Sequence, residues 1–251
     1  MARDTRVRIR TPFAADLDLP PPFRAIALRE AGNAFAHSIA VAEKEGAGAL
    51  VHVGRYDLAE FAVVLEPAEP LRTARRAIYA GIAALTDALA AVAPPEKPID
   101  IVWPDAIRID GGLVGGARLA WPALGIDDAP PAWLVFAAVI RTVAGKHDPV
   151  LHPHTTALDA EGFDIGSAQL IESFARHFMV AVDAWQQDGF ADVAGSYLSR
   201  LAREQGVRRE IDGNGDLLLR RVGGAEVERR SLLPALAAPS WLDPQTGEPY
   251  R

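Results

Sequence analysis

Cysteine is absent from all 251 residues, so disulfides, thiolate zinc sites and a cysteine nucleophile are excluded together. No apolar run reaches the roughly 18 residues of a membrane span, and the opening Met1-Ala2-Arg3-Asp4-Thr5-Arg6 lacks the apolar core of a secretory signal. A cytoplasmic protein with no membrane partner is therefore expected. Basic residues are in the minority. Lys and Arg number 26 against 33 Asp and Glu, a net charge of −7, which argues against a phosphate-neutralising surface and against nucleic acid as a partner. Common catalytic signatures are also missing: no Gly-x-x-x-x-Gly-Lys-Ser/Thr loop, no Gly-x-Ser-x-Gly elbow, no His-Glu-x-x-His pair, and no Gly-x-Gly-x-x-Gly entering a helix.

What is present is enough for a full core, since 49% of the residues are hydrophobic, and the length fits one large domain or one plus a small one. The stretch from Ile99 to Trp121 organises the rest. β-Branched and aromatic residues dominate from Ile99 to Ile109, Asp110-Gly111-Gly112 supplies a tight turn, and Leu113 to Ala120 runs extended again, which predicts a β-hairpin. Pro104 cannot donate to a ladder, and Gly115-Gly116 removes two side chains from the returning strand. Such a glycine pair marks either a bulge that bends the sheet or the close approach of another backbone or a ligand.

Around it, Asn33 to Glu45 reads as a helix with Asn33 as N-cap and Gly46 as terminator. Ala49–Val53 and Phe61–Leu65 read as strands joined by a loop that begins Gly54-Arg55. A helix is expected over Thr73 to Val92, with Ile78, Ile82, Leu85 and Leu89 on one face, and another over Ser167 to Gln187. Trp133 to Val143 is a hydrophobic run. Gly189-Phe190 opens a fourth helix, and short strands follow at Arg208–Ile211, Leu217–Arg221 and Ala225–Arg230. Two metal-like stretches are weighed against plainer readings. Lys146 to His154 holds three of the six histidines but is Pro-rich like an exposed loop, and Asp212-Gly213-Asn214-Gly215-Asp216 starts like a calcium loop yet lacks its later glycine and glutamate. The plainer readings, loop and hairpin turn, leave no metal site. Residues 234 to 251 show little periodicity and are expected to pack as irregular chain.

Trp103-Pro104-Asp105 followed by a strand, a glycine turn and Val114-Gly115-Gly116 resembles the Lys-Trp-Pro-Asn-Asp hairpin, ending in Ala-Gly, of the biotin protein ligases and lipoate protein ligases. Asp105 stands where that family has Asn, Val102 where it has Lys, and Ala106 where it has Asp. The resemblance implies an α+β fold of the class II aminoacyl-tRNA synthetase and biotin synthetase kind, a mixed sheet with helices on one side, plus a small C-terminal SH3-like β-barrel. It divides the chain into an arm over 1–22, a ligase-like domain over 23–188 and a C-terminal helix with its β unit over 189–251. It implies ligand contacts from Asn33, Gly54, Trp103, Pro104, Asp105, Gly115, Gly116 and Ala117. Arg55 and Arg118 would serve as catalytic cations in place of the family's arginine-rich loop, of which only Gly54-Arg55 survives. The implied cofactors are ATP with Mg2+ and biotin, lipoate or a related acid; the implied partners are a small carboxylic acid and a biotinyl or lipoyl carrier domain. Two readings stay open: an ATP-dependent ligase that forms an acyl-adenylate, distinct from the cysteine-dependent acyltransferases, and a binding protein that keeps the fold without the chemistry.

Overall fold

The computed structural model describes residues 17–144, 154–224 and 226–250. Strands β2 (Ala49–Val53) and β7 (Leu134–Arg141) are buried at every position, so neither shows the alternation of a half-exposed strand. Both their faces are covered. With β1 (Arg24–Leu28), β3 (Leu58–Leu65), β4 (Ile99–Val102), β5 (Ala106–Ile109) and β6 (Gly112–Ala120) they form a seven-stranded sheet in the order β1-β2-β3-β7-β6-β5-β4. Only β1 and β2 run parallel, so the sheet is mixed and mainly antiparallel, as expected.

One face carries the helical layer. Phe61, Val63, Phe136, Ala138 and Ile140 pack against α3 (Ala77–Ala90), α4 (Ser167–Asp188) and α5 (Phe190–Arg200). The rings of Phe136, Phe174 and Phe178 stack with centroids 5.3 to 6.0 Å apart, and burying each such side chain contributes roughly 1.5–3 kcal/mol. Gly81 of α3 sits against that stack, where a Cβ would come 2.1 Å from Phe136 Cε2. Gly81→Ala is expected to lower stability by about 1–3 kcal/mol despite alanine's better helix propensity, read as a lower urea midpoint. An unchanged midpoint would mean that the Phe136 ring swings aside freely. The other face is shared. Helix α1 (Ala34–Glu45) covers its β1-to-β3 half through Ala34 and Ala42 against Val51, Ala62, Val64, Val135 and Ala137, and is the one long helix on that side among the described residues.

Local chemistry placed several elements correctly. Asn33 caps α1, its Oδ1 accepting the Ala36 N–H at 2.8 Å, and Gly46 ends it at φ +69°. The small C-terminal β unit is a three-stranded antiparallel sheet of β8 (Val207–Ile211), β9 (Leu217–Arg221) and β10 (Val227–Arg230). Between β8 and β9, Asp212 Oδ1 accepts the N–H groups of Asn214 and Asp216, so Asp-Gly-Asn-Gly-Asp is a hairpin turn.

Four readings need correction. The single strand expected over 99–109 is two, because Pro104 has no N–H to extend a ladder and the chain reverses there, pairing Val102 with Ala106. The helix expected from Thr73 is divided into α2 (Leu71–Ala74) and α3. Strand β1 was not anticipated; Arg-Ala-Ile-Ala-Leu carries little β signal and becomes a strand by pairing with β2. A short helix, α6 (Leu232–Ala237), lies in part of the expected irregular stretch. Of the histidine-rich loop, residues 145–153 lie outside the described residues.

Candidate functional site

Register sets the floor of the site. Ala106, Gly116, Val139 and Glu60 are neighbours in one row across β5, β6, β7 and β3, and neighbours in a row share a face. The adjoining rows place Arg118 beside Ala137 and Arg141 beside Leu58 on that face. This is the half that α1 leaves open. Small residues floor it and arginines edge it.

The two central glycines have separate reasons. Gly115 has φ +152°, and a Cβ there would lie 1.9 Å from the Val139 carbonyl oxygen, so the backbones of β6 and β7 meet closely. The pairing with β5 also shifts register between Ile107 and Arg108, so the bulge and the close approach both occur. Gly116 makes room for something else. A Cβ there would lie 2.4 Å from the Asp105 carbonyl and 2.6 Å from Trp241 Nε1.

Trp241 lies on this floor, only 1% exposed, in a cluster with Leu58, Ala106, Leu113 and Val139, and its indole N–H donates to the Ala117 carbonyl at 3.2 Å. Beneath it Asp105 is buried, and neither carboxylate oxygen has a hydrogen-bond partner. Burial pushes the Asp105 carboxyl up to about 7, an effect that the nearby Trp241 indole N–H offsets in part.

Arg55 extends from the loop after β2. Its Nε and Nη2 donate to the two oxygens of Asp57 at 3.0 and 2.7 Å, and Nη1 donates to Glu248 at 2.7 Å. Those bonds, that to Asp57 first, hold the guanidinium firmly protonated and draw the Asp57 carboxyl below its ordinary value. The loop itself is pinned: Ser167 at the start of α4 donates to the Arg55 carbonyl, Thr142 to that of Tyr56, and Gly54 N–H to that of Leu28. Arg118 stacks its guanidinium 4.2 Å above the Phe35 ring, and its buried Nε has no partner. Burial lowers its pKa, opposed by the charge of Glu60. Glu60 in turn accepts the Ala34 N–H at 2.8 Å, and burial raises its carboxyl. Arg141 donates to the Pro249 carbonyl at 2.9 Å.

The site residues expected from sequence are therefore divided. Arg55, Gly54, Arg118, Asp105 and Gly116 meet on or beside the floor, Ala117 reaches it by its carbonyl while its side chain packs in the helical layer, and Asn33 borders it, its Nδ2 within 3.9 Å of where a side chain at Gly247 would begin. Trp103 and Pro104 face the helical layer. Trp103 Nε1 donates to the Tyr79 hydroxyl at 3.0 Å, and the Tyr197 hydroxyl donates to the Pro104 carbonyl at 2.9 Å, so these two fasten the β4–β5 turn beneath α3 and α5. Sequence reasoning missed Trp241, Glu248, Glu60 and Phe35. The available signal was an isolated tryptophan in a polar, Pro-containing stretch, which seldom remains exposed. Among the described residues no group of three or more His, Asp and Glu is placed to hold a metal ion.

Comparison with known proteins agrees with this architecture. Residues 19–199 match the sequence profile of the Biotin/lipoate A/B protein ligase family. A biotin--[acetyl-CoA-carboxylase] ligase from Paracoccus denitrificans is 27% identical over 183 residues, covering 66% of this chain and 75% of that protein. The crystal structure of a biotin protein ligase-like protein of unknown function from Silicibacter sp. TM1040 superposes with a TM-score of 0.74 at 27% identity, covering 86% of this chain and 97% of that one. Biotin protein ligase from Aquifex aeolicus shares the fold at 13% identity, with a TM-score of 0.62 over 83% of this chain and 99% of its own. It has also been solved in complex with biotin and ATP.

Proposed function

The chain belongs to the Biotin/lipoate A/B protein ligase family, and from that premise we propose that it binds a small carboxylic acid of the biotin or lipoate kind on the floor around Gly116 and activates it with ATP for transfer to a carrier-domain lysine. One observation carries this reading. Arg55 already holds a carboxylate at the site, that of Glu248 at 2.7 Å, while the Trp241 ring covers Gly116 beside it. A floor of mostly small and apolar residues next to an arginine that donates to a carboxylate fits an acid with an apolar body.

In this reading Arg55 fixes the acid's carboxylate, and Arg118, with an unpartnered Nε, supplies the second positive group. The Gly116–Ala117 backbone offers close approach and a carbonyl acceptor. ATP would supply its adenylyl group: a carboxylate oxygen attacks the α-phosphorus, the bond from that phosphorus to the bridging oxygen of the β-phosphate breaks, and the products are the mixed anhydride with AMP and pyrophosphate. Catalysis of this kind rests on positioning and on stabilising charge, which the two arginines provide here without the lysine that Val102 replaces. Pyrophosphate exchange into ATP, measured with biotin, lipoate and medium-chain acids in turn, is expected with one of them and should fall at least about 100-fold in Arg55→Ala.

A second reading is favoured by a specific feature: Asp57 and Glu248 together neutralise Arg55, which weakens it toward a polyphosphate. The protein would then bind the acid, or a carrier domain, without activating it. No exchange with any acid, alongside calorimetric binding of one of them, would select this second reading.

A further inference from the structure

The geometry points to Trp241–Tyr250 as a self-contained hairpin that occupies the carboxylate site as an internal ligand and must lift away before an acid can bind. This rests on the reading of the site given above and adds its control.

The segment satisfies its own backbone. The N–H groups of Asp243, Gly247 and Tyr250 bond to the carbonyls of Glu248, Asp243 and Trp241, and those of Gln245 and Glu248 to the side chains of Asp243 and Thr246. Leu242 and Pro249 form the antiparallel bridge between its arms. What ties it to the body is side-chain contact: Trp241 and Leu242 pack on Leu58, Ala106, Leu113 and Val139, and polar bonds include the Trp241 indole to Ala117, Arg55 to Glu248, and Arg141 to the Pro249 carbonyl. The hairpin can therefore leave without opening any ladder of the sheet and without orphaning these backbone donors. The chain leading into it, Ala237, Ala238 and Ser240, is exposed.

Its chemistry is that of the ligand it would exclude. An apolar ring lies over the small-residue floor, a carboxylate sits on Arg55, and a carbonyl accepts from Arg141. An incoming acid would cover the same apolar surface and take over the same arginine, so the two compete directly. Trp241 also neighbours the buried Asp105 carboxyl, so departure of the hairpin changes the surroundings of that group.

The test uses the full chain and two variants: Glu248→Gln, which weakens the grip on Arg55 with little loss of packing, and Trp241→Phe, which keeps an aromatic plug but deletes the bond to Ala117. Binding of biotin, lipoate and octanoate is measured by calorimetry, and hydrogen exchange is followed over residues 241–250 with and without each acid. We expect Glu248→Gln to bind at least one acid about tenfold more tightly than the parent, and Trp241→Phe to move the same way. Saturating acid should raise exchange over 241–250 in the parent severalfold while leaving β6 and β7 protected. If an acid binds the parent as tightly as it binds both variants, with protection over 241–250 unchanged, the hairpin is no competitor and only this inference falls. Failure of all three acids to bind any of the folded proteins would overturn the carboxylate-site reading and the inference with it.

Discussion

Asp105→Asn is expected to make the protein more stable than the parent at pH 8 by on the order of 4 kcal/mol, and about equal to it near pH 3. Burial raises this carboxyl from 3.8 to about 7 in the folded protein. The unfolded chain gives up its proton at a lower pH than the folded one, so between those values folding must retain a proton or strand a charge. Stability from the neutral carboxyl is fully present below pH 3.8, declines as pH rises toward 7, and is lost above it. The asparagine amide has no such dependence, and it is the residue found there in the ligases the sequence resembles. His52, held neutral by burial, loses stability in the opposite sense as pH falls, and Glu60 acts in the same direction as Asp105, but both are common to the two proteins. Urea unfolding of parent and variant from pH 3 to 8.5 therefore isolates Asp105 in the difference. Parallel curves would mean that water or an unseen donor reaches the carboxylate.

Gly115→Ala should cost about 3 kcal/mol or more, a large share of the roughly 5–15 kcal/mol that holds a domain of this kind together. Two effects combine: the methyl group would meet the Val139 carbonyl at 1.9 Å, and the residue sits at φ +152°, which side-chain-bearing residues seldom adopt. The obstacle is backbone and cannot rotate away. Neighbouring Gly116 meets both kinds of constraint, because a Cβ there would strike the Asp105 backbone carbonyl at 2.4 Å as well as the Trp241 ring at 2.6 Å. Gly116→Ala is therefore expected both to lower the global denaturation midpoint and to loosen 241–250 in hydrogen exchange, whereas Gly115→Ala, whose obstacles are all backbone of β7, lowers the midpoint without that local loosening. A Gly115→Ala midpoint equal to the parent's would sink the account of a close β6–β7 approach.

By itself the sequence determined the elements whose causes lie within a few residues of each other. The Asn33 cap and Gly46 stop define α1, Asp110-Gly111 sets the β5–β6 turn, the apolar period of Ile78, Ile82, Leu85 and Leu89 marks α3, and Trp103-Pro104 with the glycine pair pointed to the family. Capping bonds, turn dihedrals and side-chain periods are local, so they can be read in order along the chain. Only the tertiary structure decided which face each strand presents to the site. It turned Trp103 toward Tyr79, set Arg118 over Phe35, and brought Glu248 back to Arg55 across 193 residues. It also placed Trp241 on the Ala117 carbonyl from 124 residues away, in a stretch where no local pattern could say which surface it would cover. Such contacts depend on strand register and on where a long chain returns, and in a sheet a shift of one residue sends every side chain to the opposite face.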